Sequence, residues 1–152
     1  MKKVRLIAVI LTCAVLALSL SACVKHIVDT NGDEDFSIQT ITDEKIVSGY
    51  KSYLAVGSVS TNVGNKHTLR VKKLSGVWQL GTVTVDNGSV EIKTDMSVTK
   101  GNCRLVLVYG NEIVYDFNIN GTDTYATNAT GKYDIKLVGE SAVIRSLEYT
   151  FA

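Results

Sequence analysis

Val83-Thr84-Val85-Asp86-Asn87-Gly88-Ser89-Val90-Glu91-Ile92-Lys93-Thr94-Asp95-Met96-Ser97-Val98 is the stretch that decides the fold. Val90, Ile92, Met96 and Val98 stand on one face, and Glu91, Lys93, Asp95 and Ser97 on the other. That period of two belongs to a half-buried strand. Val83 and Val85 give the same pattern before it, and Asp86-Asn87-Gly88 between them predicts a hairpin, because Asn and Gly accept positive φ.

The pattern continues outward on both sides. Upstream, Thr68-Leu69-Arg70-Val71-Lys72 alternates in the same way. Downstream, Lys100-Gly101-Asn102 predicts a turn, and Leu105 to Tyr109 is apolar on both faces, as in a strand covered on both sides. Gly110-Asn111 leads into Ile113, Tyr115, Phe117 and Ile119, and Asn120-Gly121 closes that strand. Tyr133, Ile135 and Leu137 form another, ended by Gly139-Glu140-Ser141. Val143, Leu147, Tyr149 and Phe151 make the last, interrupted by Arg145. The chain has 12 glycines and no proline, so Asn-Gly and Gly-Asn pairs must make the turns. No long helical period occurs after the first 22 residues. Seven or eight short strands at this spacing predict an all-β fold. The expected architecture is a single antiparallel β-sandwich, jelly-roll-like, over residues 46–152, with a small open β-barrel as the alternative. Gly131 to Gly139 (Gly-Lys-Tyr-Asp-Ile-Lys-Leu-Val-Gly) resembles the closing strand of small extracellular sandwich modules. Such modules accompany secreted bacterial enzymes or sit alone on lipoproteins; the resemblance implies a fold and transfers no functional residue.

The N-terminus is built differently. Lys2, Lys3 and Arg5 precede an apolar run from Leu6 to Leu20, followed by small residues, the three-part layout of a secretory signal. The run falls short of the ~20 residues that span a bilayer. Leu20-Ser21-Ala22-Cys23 resembles the lipobox of bacterial lipoproteins. The resemblance implies cleavage before Cys23, acylation of that cysteine, and export to the cell membrane or outer membrane. Two or three acyl chains make such an anchor stable, whereas one alone is marginal. Residues 1–22 are thus expected to be a signal peptide. Residues 23–45 follow as a lipidated cysteine and acidic tether, since Asp29, Asp33, Glu34, Asp35, Asp43 and Glu44 face only Lys25 and Lys45. Phe36, Ile38 and Ile41 are the residues there expected to add a short strand or to dock on the domain.

The whole chain holds 16 Lys+Arg and 15 Asp+Glu. The leader takes three of the basic residues, which leaves the mature chain slightly acidic. No concentrated basic face of a nucleic-acid binder is expected. Of three cysteines only Cys23 and Cys103 survive cleavage, and with Cys23 acylated, Cys103 has no disulfide partner.

Few residues point to chemistry. Asp29-Thr30-Asn31-Gly32-Asp33-Glu34-Asp35 opens like a calcium loop, but Glu34 stands where an EF-hand has glycine and Thr40 where it has glutamate. Cys103 would need a base such as His67 to act as a nucleophile; it shares strand parity with Leu105 and Leu107, which makes it a core residue. His26 and His67, far apart and without paired cysteines, supply no zinc ligand set. Glu91, Asp95, Asp116, Asp134 and Glu148 lie on polar strand parity, as solvated carboxylates do. No catalytic residue, metal or cofactor is expected. Trp78, the only tryptophan, is the candidate ligand-binding residue, by stacking beside tyrosines such as Tyr50 or Tyr125. Lys66, His67, Arg70, Lys72 and Lys73 read as a solvated basic strand face. Asn87, Asn120 and Asn128 head glycosylation-type triplets and read as turns in a bacterial protein. The expected function is a non-catalytic module, anchored to the membrane by its acyl chains, that contacts polysaccharide, a wall component or an envelope protein. The alternative is an accessory or inhibitor lipoprotein docking on an envelope enzyme or transporter.

Overall fold

A computed structural model describes residues 40–152. Cys23, the leader and the Asp29–Asp35 segment lie outside the described residues. One helical turn, α1 (Asp43–Val47), precedes seven strands: β1 (Tyr53–Val56), β2 (Val59–Val63), β3 (Lys66–Val85), β4 (Val90–Tyr109), β5 (Glu112–Phe117), β6 (Asn120–Thr127) and β7 (Gly131–Phe151). All pairings are antiparallel, in the order β1-β3-β7-β4-β5, with β2 also on β3 and β6 also on β4. The all-β class is as the alternation predicts. The two outer edges do not meet, so the sheet is not a barrel.

Three strands are far longer than expected, at 20 to 21 residues each. Their length explains how one sheet makes two layers. β3 and β4 both run antiparallel to β7, and only Asp86–Ser89 joins the end of one to the start of the other. That link spans no more than about 18 Å. The β7 residues at its two ends, Gly131 and Phe151, would stand on the order of 65 Å apart in a straight strand. The long strands therefore double back. The reversals lie side by side: register shifts fall between Leu69 and Gly76 on β3 and between Ser97 and Asn102 on β4, both opposite the middle of β7. Bulges of this kind let strands turn from one layer into the next. The crease has a specific backbone. Gly101 takes φ +73 where an added Cβ would strike the carbonyl oxygens of Ser141 and Glu140, and Ser141 itself takes φ 52.

Three expected turns are thereby corrected. Asp86-Asn87-Gly88 is not a hairpin, because β3 and β4 do not pair; it carries the chain from one layer to the other. Lys100-Gly101-Asn102 and Gly139-Glu140-Ser141 are bends inside β4 and β7. Gly101 and Ser141 supply the positive φ there, which serves a crease as well as a turn. The Gly110-Asn111 hairpin between β4 and β5 forms as read. The sandwich is thus one creased sheet, whereas a jelly roll joins two sheets by crossing loops.

The main core lies between the layers. Leu69, Ile92, Met96, Leu147 and Tyr149 from one half meet Leu105, Leu107, Phe117, Tyr133, Ile135 and Leu137 from the other. A second, smaller cluster covers the outside of the layer that holds β5. There α1 buries Ile46 against Val77, Val106, Val108 and Val138, with Ile41 packed alongside. Leu105–Val108 is accordingly covered on both faces, as its composition predicts, while Tyr109 at its end is exposed. The folded body thus begins ahead of residue 46, with Ile41 docked on it. Among the described residues, every strand pairing and both clusters lie within residues 41–152.

Candidate functional site

The edge formed by β1 and β2 is where the surface departs from an ordinary solvated face. Among the described residues, the large apolar or aromatic side chains most exposed are Tyr50, Tyr53, Leu54, Val56, Val59, Val63 and Tyr109. All but Tyr109 fall within fourteen residues of chain. Val59 and Val63 are 66% and 71% exposed. β1 and β2 pair only with β3, which leaves their far side without a strand among the described residues.

Strand register sorts these side chains by face, since paired residues share one. Ala55 opposes Leu74 and Ser60 opposes Leu69, both of which are core, so Ala55 and Ser60 face inward. Leu54, Val56, Val59 and Val63 therefore form an outward apolar stripe. Val59 opposes Arg70 and Val63 opposes Lys66, placing cations beside the stripe. Lys66 is paired with Glu148 at 2.7 Å. Arg70 and Lys72, together with Arg145 of β7, line a groove of about 350 Å3 whose walls include Val59 and Val143. None of these three cations forms an ion pair with the described residues. From Lys45 to Val85 the chain holds six Lys and Arg and no acid.

On the inner side of the same edge lies Trp78. It is half-buried against the main core, and its indole stacks face to face on Tyr53, centroids 4.5 Å apart and planes within 5°. Tyr53 covers one indole face and is itself exposed on its far side. Tyr53 can lie so close because it sits opposite Gly76 (φ +112), where a Cβ would strike the Ser52 carbonyl oxygen. His67 stacks on Tyr149 at 4.7 Å, with Nδ1 3.0 Å from Asn62 Oδ1. A cleft of about 100 Å3 separates His67 from Trp78. Tyr125, read as a partner for Trp78, instead packs on Tyr115. The basic cluster expected on one face is split: Arg70 and Lys72 point outward, His67 inward.

The remaining candidates are placed in structural roles. Cys103 is buried in the main core, and desolvation pushes its thiol up to about 12, against a smaller lowering by the Arg104 backbone N–H. That is the opposite of an activated thiolate. His67 makes its contacts with Asn62, Tyr149 and Phe151. Asp134 accepts hydrogen bonds from Gln79 Nε2 and Thr82 Oγ1. Asp116 joins Asp43 on Arg104, which fastens α1 to the sheet. Asp123 is held below the usual carboxylate range chiefly by the Asn118 backbone N–H, with Thr124 N–H and the Tyr115 hydroxyl adding to it. No group of three or more His, Cys, Asp or Glu among the described residues is arranged to hold a metal.

Sequence reading missed three things. Asn120-Gly121, read as the close of a strand, opens β6, whose polar residues were passed over. Lys136, on apparent polar parity, is 2% exposed beneath α1 and donates to the carbonyl oxygens of Ile46 and Ser48. The exposed edge was also missed, although its signal was present: Tyr53–Val63 holds no charge at all. Natural sheet edges ordinarily carry charge or proline. Comparison with protein-family models, curated proteins and solved structures finds no match to this chain.

Proposed function

We propose that this chain is a membrane-anchored bacterial envelope lipoprotein whose folded part is a non-catalytic binding module, with β1–β2 as its contact edge. The anchoring rests on Leu20-Ser21-Ala22-Cys23 behind a secretory-type leader. One observation carries the binding role: exposed apolar side chains are concentrated on a single uncharged edge strand pair. Concentrated exposed apolar surface marks interaction sites, whereas scattered single residues do not. The backbone of that edge, unpaired on its outer side among the described residues, favours the reading as an accessory or inhibitor lipoprotein that docks on another envelope protein. The Tyr53–Trp78 stack favours contact with a sugar ring, taken up on the outer face of Tyr53.

A pull-down with residues 24–152 tests the proposal, using purified wall polysaccharide and a membrane-protein extract in parallel. Val59→Glu and Tyr53→Ala versions run beside it. Retention that both substitutions reduce supports the edge as the contact surface. Retention on polysaccharide lost only with Tyr53→Ala assigns the contact to the aromatic side. Equal retention by all three chains, or none by any, contradicts the proposal.

A further inference from the structure

Resting on that reading, we propose that the occupant of the β1–β2 edge is an extended, acidic polypeptide segment that adds to the sheet as a strand. Three features of the edge specify it together. Its outer side has no strand partner among the described residues, so its backbone N–H and C=O groups are free to pair. Its outward stripe of Leu54, Val56, Val59 and Val63 requires apolar side chains among those that the occupant presents on its outward face. Beside that stripe, Arg70, Lys72 and Arg145 line one groove without a carboxylate from the described residues. An occupant bearing Asp or Glu would supply their counter-charge, and the acid-free stretch Lys45–Val85 would hold nothing to repel it.

The same features disfavour other occupants. An anionic polysaccharide would satisfy the cations but leave four aliphatic side chains uncovered. A bilayer surface would cover the aliphatics and attract the cations, but it would bury an open strand edge whose backbone groups it cannot pair. A second copy meeting edge to edge by two-fold symmetry would set Arg70 and Lys72 of each near those of the other, with like charges opposed.

The test is fluorescence anisotropy on residues 24–152 with a labelled valine–glutamate peptide of about ten residues, in which serine occupies every second position so that valine and glutamate share one face. A valine–lysine peptide and two valine–glutamate peptides N-methylated on alternate residues serve as controls. The expected result is saturable binding of the valine–glutamate peptide and none of the valine–lysine peptide. One N-methyl register should abolish binding, and Arg70→Glu and Val59→Glu should each weaken it about tenfold or more. Circular dichroism checks that both variants stay folded, and Arg145→Glu provides a further charge reversal on a different strand. Binding that survives both N-methyl registers overturns strand addition. Failure of the valine–glutamate peptide to bind overturns the proposal, as does preferential binding to polygalacturonate, to anionic phospholipid vesicles or to the chain itself. If the peptide fails while the pull-down above still depends on Val59, the edge remains the contact surface and only the occupant is wrong. If the pull-down is also insensitive to Val59 and Tyr53, the broader reading falls with it.

Discussion

Cys103 and Thr94 show how much single side chains owe to the layer they face. Cys103 is the only thiol in residues 24–152, and burial raises its pKa to about 12. The reactive form is the thiolate, so the folded chain at about pH 8 should resist a thiol reagent such as DTNB. Reaction should become complete once urea unfolds it, and rapid labelling of the native protein would contradict this placement. Thr94 is 4% exposed, and its Oγ1 has no hydrogen-bond partner among the described residues. An unpaired buried hydroxyl carries a desolvation cost of about 1–3 kcal/mol. Thr94→Val should therefore stabilise the fold by about 1 kcal/mol in urea unfolding; a loss of stability would mean the hydroxyl is satisfied. Both residues are half-legible in sequence. Alternation puts Cys103 with the apolar set, and it equally puts Thr94 with Ile92 and Met96, where a polar residue gives no warning of its cost.

At the scale of elements, the crease and the helical turn carry the sharpest expectations. Gly101 combines φ +73 with a site where an added Cβ would collide with Ser141 and Glu140 backbone. Gly101→Ala should lose about 1–3 kcal/mol from the backbone conformation alone, and more from the collision. Ala at Gly49, which has open space and no positive φ, provides the control. Equal stability of the two variants would contradict the crease. β3, β4, β5 and β7 were legible from their period of two, whereas the short β1 and β2 and the polar β6 were not read as strands. The lengths of the long strands were not legible, since a glycine that bends a strand and one that ends it carry the same signature. Lys136 sets the other expectation. Burial holds its ammonium below the usual lysine range, Asp134 works against that shift, and Lys51 adds to it. The unfolded chain therefore binds more protons between the folded pKa and about 10.5, and stability gains from this group as pH rises through that window. The cost is fully present below the folded pKa. Lys136→Met should flatten that alkaline gain. It should also speed amide exchange at Ile46 and Ser48, whose carbonyls lose their donor and whose N–H groups hold α1 to Thr42 and Glu44. Unchanged exchange would show that Lys136 does not hold the turn. Nothing in the alternating strand Gly131–Gly139 distinguishes Lys136 from Lys132, because its burial depends on a helix ninety residues away in sequence.

Across the whole molecule, function is carried by placement. An apolar, uncharged edge bordered by cations is a liability on a freely diffusing chain, because open edges template association. On a chain held to a membrane by its N-terminus, the same edge is presented to a limited set of neighbours. The edge emerges only once the register assigns Val59 and Val63 to the outward face; in sequence they look like any other core valines. The proposed anchor, conversely, rests on the sequence alone, and Cys23 lies outside the described residues. The measurement that tests the central claim of a displayed binding edge is therefore made at the anchor. The full chain and its Cys23→Ala variant are expressed in bacteria fed labelled palmitate, and the membrane-bound product is analysed by mass spectrometry. The account predicts a chain that begins at Cys23, carries acyl label and stays with the membrane, with label lost in the variant. A wild-type chain that retains residues 1–22, or is cut there and released without label, would contradict it.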